Sequence, residues 1–200
     1  TRKILYKDLL GMLEQGMELD GMKVQGAIQI VLGFKNIREL SEKYNSGRFN
    51  MYDCNGVKTI LDYGHNIEGY RKVLSSLKEL SNGRIIGVIG IPGDRSNNDA
   101  IRIGKLSSNI LDKIIIKEDK DRRGRSSGEI AELIKKGVLQ VNKDADLKVI
   151  LDEVEAFRTA LMEAKSGDTV IVFFEKREPL LEVIEYFRKE QDYKGYTKIN

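Results

Sequence analysis

The chain has 200 residues, 40% hydrophobic and 32% charged, enough to bury a real core, which suits one compact domain or a domain with a helical appendage and gives no sign of disorder. Lys and Arg total 34 against 31 acids, and a net charge of +3 gives no electrostatic footprint for nucleic acid. The single Cys54 excludes an intramolecular disulfide and fits a reducing cytoplasm, and no secretory signal is visible at the N-terminus. No run approaches the roughly 20 apolar residues of a membrane span.

Residues 4–44 carry helical periodicity. Leu5, Leu9, Leu13 and Met17 recur every four residues, and Val24, Ala27, Ile28, Val31 and Leu32 form a second face ending at Gly33. Ile37, Leu40 and Tyr44 mark a short third helix with Asn36 as its N-cap. These apolar faces need cover, from the rest of the chain, from a partner, or from a second copy in a homo-oligomer. Asn45-Ser46-Gly47 is a turn, which places a boundary between a helical segment, 1–46, and an α/β domain, 47–200.

From Arg48 the pattern alternates. Strands are predicted at 49–54, 57–62, 84–90, 112–117, 147–151 and 169–174, and helices at 66–80, 97–109, 127–137, 153–164 and 178–190. Ile85-Ile86-Gly87-Val88-Ile89, Ile114-Ile115-Ile116 and Val170-Ile171-Val172-Phe173-Phe174 are continuously apolar, as parallel strands covered on both faces are. Asn55-Gly56 is a hairpin signal, so the first two strands pair antiparallel. The expected fold is an α/β protein: an open, mostly parallel, Rossmann-like sheet of about six strands with flanking helices and an opening β-hairpin.

Three polar segments directly follow apolar strands, where open α/β sheets bind ligands. The first is Asp62-Tyr63-Gly64-His65-Asn66, which contains the one histidine. Asp62 at a strand end can accept ribose hydroxyls, and His65 and Asn66 at a helix N-terminus can bond phosphate or base. Equally, Asp62 or Asn66 can simply cap the helix while His65 packs or faces water. The second is Gly90-Ile91-Pro92-Gly93-Asp94-Arg95, whose glycines permit close approach of a ligand and whose Arg95 offers a fork of donors; a glycine-rich turn with a surface ion pair is the plainer reading. The third is Lys117 to Arg125, with five basic and three acidic residues. Arginines there can grip a substrate carboxylate, acids can receive a cationic group, or the run is a solvated loop.

Several chemistries are missing from the sequence. It has no Gly-x-x-x-x-Gly-Lys-Ser/Thr, no Gly-x-Gly-x-x-Gly, no zinc-type Cys/His cluster and no thiol or serine triad. No residue is therefore assigned a catalytic or metal-ligating role.

Taken in order, these segments resemble the Mur ligase family. Gly47-Arg48-Phe49-Asn50 is similar to the Gly-Arg-Phe element before its C-terminal domain, and Asp62 to Asn66 resembles its Asp-Tyr-Ala/Gly-His-Asn signature. Gly90 to Arg95, and Ile114 to Arg125 with Gly128-Glu129, resemble segments of the cyanophycin synthetase branch. Ile67 stands where the family usually has proline. The resemblance implies ATP-dependent amide-bond formation through an acyl-phosphate, with ATP and Mg shared with a P-loop ATPase domain in cis or trans. It implies that Asp62, His65, Asn66 and Arg95 contact the nucleotide. It also implies that Asp119, Asp121, Arg122 and Arg125 position an incoming amino acid, arginine or aspartate. Residues 1–46 would then be the end of the central domain, and this chain alone would be inactive. The alternative is a stand-alone, non-catalytic nucleotide- or amino-acid-binding domain.

Overall fold

A computed structural model of the protein describes residues 48–196, with side chains as far as Arg188. The helices expected within 4–44 lie outside the described residues.

Strand β1 (Asn50–Cys54) turns into β2 (Val57–Asp62) through Asn55 and Gly56. Both turn residues have positive φ, 58° and 78°, the geometry that matches a two-residue hairpin loop to strand twist. The pair is antiparallel, with Cys54 opposite Val57, as the Asn-Gly signal predicts. Helix α1 (Ile67–Leu80) follows, then β3 (Ile85–Ile89), α2 (Asn97–Ser108), β4 (Lys113–Ile116) and α3 (Glu129–Val141). Strand β5 (Asp146–Val149), α4 (Glu153–Glu163), β6 (Thr169–Phe173) and α5 (Arg177–Tyr196) complete the described chain.

The six strands form one sheet in the order β1-β2-β6-β3-β4-β5, and every pairing except β1–β2 is parallel. Alternation along each strand divides the core in two. Ile89, Ile114, Ile116, Ile171 and Phe173 face Tyr70, Leu74 and Leu77 of α1, Ile103 of α2 and Ile134 of α3. Ile86, Val88, Ile115, Val170 and Val172 face Phe157 and Leu161 of α4 and Leu180 and Ile184 of α5. The central strands are apolar throughout because helices cover both faces. This is the mostly parallel α/β sheet expected from the sequence.

Helix α3 differs from its predicted 127–137 range at both ends. It begins at Glu129 because Gly128, at φ 79°, occupies the cap position without a side chain. The Glu118 carboxylate accepts the N–H of Gly128 itself at 2.9 Å, one of the donors left open at the helix start. At the other end Gly137 does not stop the helix, which continues to Val141. A Cβ at Gly137 would stand 2.0 Å from the Ile101 carbonyl, and one at Gly104 2.1 Å from that of Ile134. The two glycines therefore let α2 and α3 cross backbone to backbone.

One consequence of strand order matters for the site. The chain moves outward from β3 to β5 along one face, then returns through α4 on the other face to insert β6 between β2 and β3. The carboxyl ends of β2, β6, β3 and β4 consequently open on one edge, beside a topological switch point.

Candidate functional site at the carboxyl edge of the sheet

The β2–α1 turn is built on Asp62. Its Oδ2 accepts the Phe49 N–H at 2.8 Å, and it also takes a backbone hydrogen bond from Gly64. The first bond holds Phe49, whose φ of 49° is unusual for a bulky side chain. Burial pushes the Asp62 carboxyl up from its ordinary value, against the opposing pull of those two N–H groups and of Arg48 and His65. Asn66 caps α1: its Oδ1 accepts the Gly69 N–H at 2.8 Å. Its side-chain NH2 has no acceptor among the described residues. His65 Nδ1 lies 3.1 Å from the Tyr63 carbonyl, which can only accept, so in the neutral ring the proton sits on Nδ1 and Nε2 is an acceptor. The half-exposed Tyr63 ring packs between His65 and Phe174, with centroids at 5.4 and 5.7 Å.

Beyond β3, Gly90 is pinned by Tyr70, whose hydroxyl donates to the Gly90 carbonyl at 2.6 Å and accepts its N–H at 3.1 Å. The Tyr70 ring stacks on Phe173, and burial holds its phenol well above the usual range. A Cβ on Gly90 would come within 2.8 Å of Lys117 Cε, so the glycine leaves room for that side chain to cross. Lys117 is 1% exposed and ends between two buried carboxylates, Asp119 at 2.5 Å and Glu153 at 2.7 Å. Burial alone would lower its ammonium, but Glu153 and Asp119 reverse that and raise it.

The β4–α3 loop is tied to the β3–α2 loop. Arg125 donates from Nε to the Gly93 carbonyl at 2.6 Å, from Nη2 to the Arg95 carbonyl at 2.8 Å, and from Nη1 to Glu129 at 2.5 Å. Arg123 bridges Asp121 and Asp94 at 2.8 and 3.0 Å. Gly93 lies so close to Arg122 that a Cβ would meet its carbonyl at 2.0 Å.

The eight residues singled out in the sequence thus fall into two groups. Asp62, His65 and Asn66 sit at the end of β2; Arg95, Asp119, Asp121, Arg122 and Arg125 sit at the ends of β3 and β4. Strand β6 lies between β2 and β3, so the end of β2 is three strand spacings, roughly 14 Å, from the end of β4. Within the second group Asp119 is committed to Lys117, Asp121 to Arg123, and Arg125 to three acceptors. Among the described residues at this edge, the cations Arg48, Arg95, Lys120, Arg122 and Lys176 have no ion-pair partner, and the carboxylates Asp62, Glu118 and Glu175 accept backbone N–H groups in place of an ion pair. Arg95 Nε is in addition buried without a hydrogen-bond partner.

Two residues escaped the sequence reading. Glu153 joins Lys117 to the β6–α5 loop by accepting the Glu175 and Lys176 N–H groups at 2.6 and 3.1 Å. Glu175 accepts the Lys120 N–H at 2.8 Å. Glu175 directly follows the apolar run ending at Phe174, so the rule that found the other three loops also marks it.

Residues 47–173 match the family described as Mur ligase, glutamate ligase domain, and the chain belongs to that family. Within the family its sequence is similar to cyanophycin synthetases. That of Geminocystis herdmanii is 41% identical over 162 residues, covering 80% of this chain and 18% of the relative. Among solved structures, a UDP-N-acetylmuramoyl-L-alanyl-D-glutamate–2,6-diaminopimelate ligase is similar with a TM-score of 0.60 at 16% identity, over 92% of this chain and 37% of that one. E. coli FolC in complex with ADP gives a TM-score of 0.54 at 21% identity, over 84% and 39% of the two chains. These two likenesses show the fold. The chain spans about a fifth of the length of the cyanophycin synthetases it matches.

Among the described residues no helix is long and apolar enough to cross a membrane.

Proposed function

We propose that this chain is the C-terminal part of an ATP-dependent acid–amino-acid ligase of the cyanophycin synthetase kind, supplying nucleotide and amino-acid contacts to a site completed by a P-loop domain. Residues 1–46 would be the end of that central domain. The observation that carries the reading is the 41% identity to a cyanophycin synthetase, in a chain whose motif loops all open on one sheet edge.

The donor set suits a nucleotide. A carboxylate has about four lone-pair sites. Asp62 has given two to Phe49 and Gly64, which leaves acceptor capacity for ribose hydroxyls. The free NH2 of Asn66 and the Nε2 of His65 serve the base or ribose. Arg95 suits an anion, since its buried Nε gains a partner when a phosphate oxygen arrives. ATP when bound supplies the phosphoryl group that activates a carboxylate. The chain's own part is to orient the nucleotide and screen its charge. Mg, like ATP, is shared with the P-loop domain in this proposal, held by the phosphates and one or two carboxylates.

The β4–α3 loop is the proposed seat of the amino acid. Asp119 and Arg125 enter as supports, Lys117 holding one and the β3–α2 loop the other. Arg122 is the side chain left free to grip a carboxylate, with Asp121 beside it.

Joining the missing P-loop domain tests the proposal. The reconstituted protein is expected to release phosphate only when ATP and an amino acid, L-arginine or L-aspartate, are both present. His65→Ala should raise the KM for ATP, and Arg122→Ala that for the amino acid. No amino-acid-dependent phosphate release would overturn the reading. Saturable ATP binding by the chain alone, with no turnover after reconstitution, would favour a stand-alone binding domain.

A further inference from the structure

Glu175 lies in the loop between β6 and α5, and β3 separates β6 from β4 in the sheet. Its carboxylate nevertheless reaches the β4–α3 loop, where it accepts the Lys120 N–H at 2.8 Å and stands 3.5 Å from the Asp121 nitrogen. A second tie runs beneath. Glu153 accepts the backbone N–H of Glu175 itself, and the same Glu153 carboxylate holds Lys117, which also binds Asp119. Glu175 is therefore fixed at its backbone by the buried ion cluster, while its side chain fixes the next stretch of the neighbouring loop. The peptide it grips ends at Asp121, immediately before Arg122, whose carbonyl is packed against Gly93.

We infer that Glu175 is a positioning residue: it holds the backbone at 120–121 so that Arg122 is already presented when the amino acid arrives. A carboxylate accepting N–H groups makes a charge-assisted bond, stronger than a neutral one. A loop ordered in advance does not have to be ordered by its ligand, so affinity rises without any new contact. Neither Glu175 atom touches the ligand in this scheme. The inference rests on reading the β4–α3 loop as the amino-acid seat.

The experiment uses the 200-residue chain as wild type, Glu175→Ala, Glu175→Gln and a control, Glu182→Ala, on the exposed face of α5. Amide hydrogen exchange is followed by NMR on the chain, and L-arginine, L-aspartate and Mg·ADP are titrated separately by calorimetry on the same variants joined to the P-loop domain. Glu175→Ala is expected to speed exchange at Lys120 and Asp121 on the order of tenfold. Exchange at Ile115 and Val172 in the core strands stays as in wild type. The affinity for whichever amino acid wild type binds falls by a comparable factor while that for Mg·ADP holds. Glu175→Gln, which keeps one acceptor oxygen, falls between wild type and alanine, and Glu182→Ala matches wild type.

Unchanged exchange at Lys120 and Asp121 overturns the inference, and so does a rise spread equally over the core strands, which is loss of global stability. Faster local exchange with undiminished amino-acid affinity overturns it as well, and leaves the functional reading standing. Wild type binding neither amino acid refutes the functional reading first, and the positioning role with it.

Discussion

Replacing Lys117 by methionine isolates one charge in the centre of the site. Methionine keeps an unbranched stem of similar volume over Gly90, so packing is largely preserved and the ammonium is what is lost. The wild-type cluster sets one cation between carboxylates at 2.5 and 2.7 Å, with Lys117 1%, Asp119 8% and Glu153 6% exposed. At an effective dielectric constant near 20 each attraction is about 6 kcal/mol. Desolvation of three ions, several kcal/mol each, offsets most of that, so the intact cluster contributes little net stability. The mutant keeps both desolvation costs on the acids and loses both attractions. The expected loss is about 3–5 kcal/mol, a large part of the roughly 5–15 kcal/mol of an ordinary domain. Urea unfolding at pH 7 measures it. Adding Asp119→Asn to Lys117→Met should restore part of the loss, because one of the two stranded charges is removed. Glu153 stays tolerable, since the Glu175 and Lys176 N–H groups still satisfy it. A Lys117→Met loss below about 1 kcal/mol would refute the reasoning, since breaking a buried ion pair costs more than that.

Gly93→Ala places a Cβ 2.0 Å from the Arg122 carbonyl, so the two loops must part; a loss of about 1–3 kcal/mol is expected in urea unfolding, with spectral changes at Arg122. Asn66→Ala removes the α1 cap and should cost about 1 kcal/mol. His65→Ala, on the half-exposed turn, should stay within about 0.5 kcal/mol of wild type; equal losses for the two would refute the assignment of the cap. Asp62 carries a pH dependence of defined sign. Its folded pKa is raised by burial, so the folded state holds this proton more tightly than the unfolded chain does. The group is protonated in both states at low pH, and its contribution falls as pH rises from the ordinary carboxylate value through the raised one, then levels off. Asp62→Asn keeps an acceptor for the Phe49 N–H and removes that fall. Its stability relative to wild type should therefore rise across that interval, and parallel pH profiles for the two proteins would contradict the argument.

Much of the fold was legible because its signals are local. The run Val170 to Phe174 announces a strand covered on both faces, and Asn55-Gly56 announces a hairpin because few residues other than Asn, Asp and Gly accept positive φ at both turn positions. The order of the motifs along the chain is also enough to mark its family. Gly137 shows where a local rule fails. Glycine is a common helix terminator, yet here its missing side chain serves the crossing with α2, a contact with a residue far away in sequence.

The same divide runs through the candidate site. That Asp62, His65, Asn66, Arg95, Asp119, Asp121, Arg122 and Arg125 follow apolar strands is written in the sequence, because strand periodicity and the polar residues after it are properties of neighbouring positions. Which of them keep a side chain without a partner was decided by tertiary structure alone. Arg125 became a staple and Asp119 a buried counter-ion because β3 and β4 are adjacent and α4 passes beneath them. Arg95 and Arg122 were left without carboxylate partners by the same arrangement. Glu153 and Glu175 gained their roles only when β6 was inserted between β2 and β3. The physical reason is that a charge is neutralised by whatever lies within a few ångströms, and that neighbourhood is set by strand order, which no local pattern encodes.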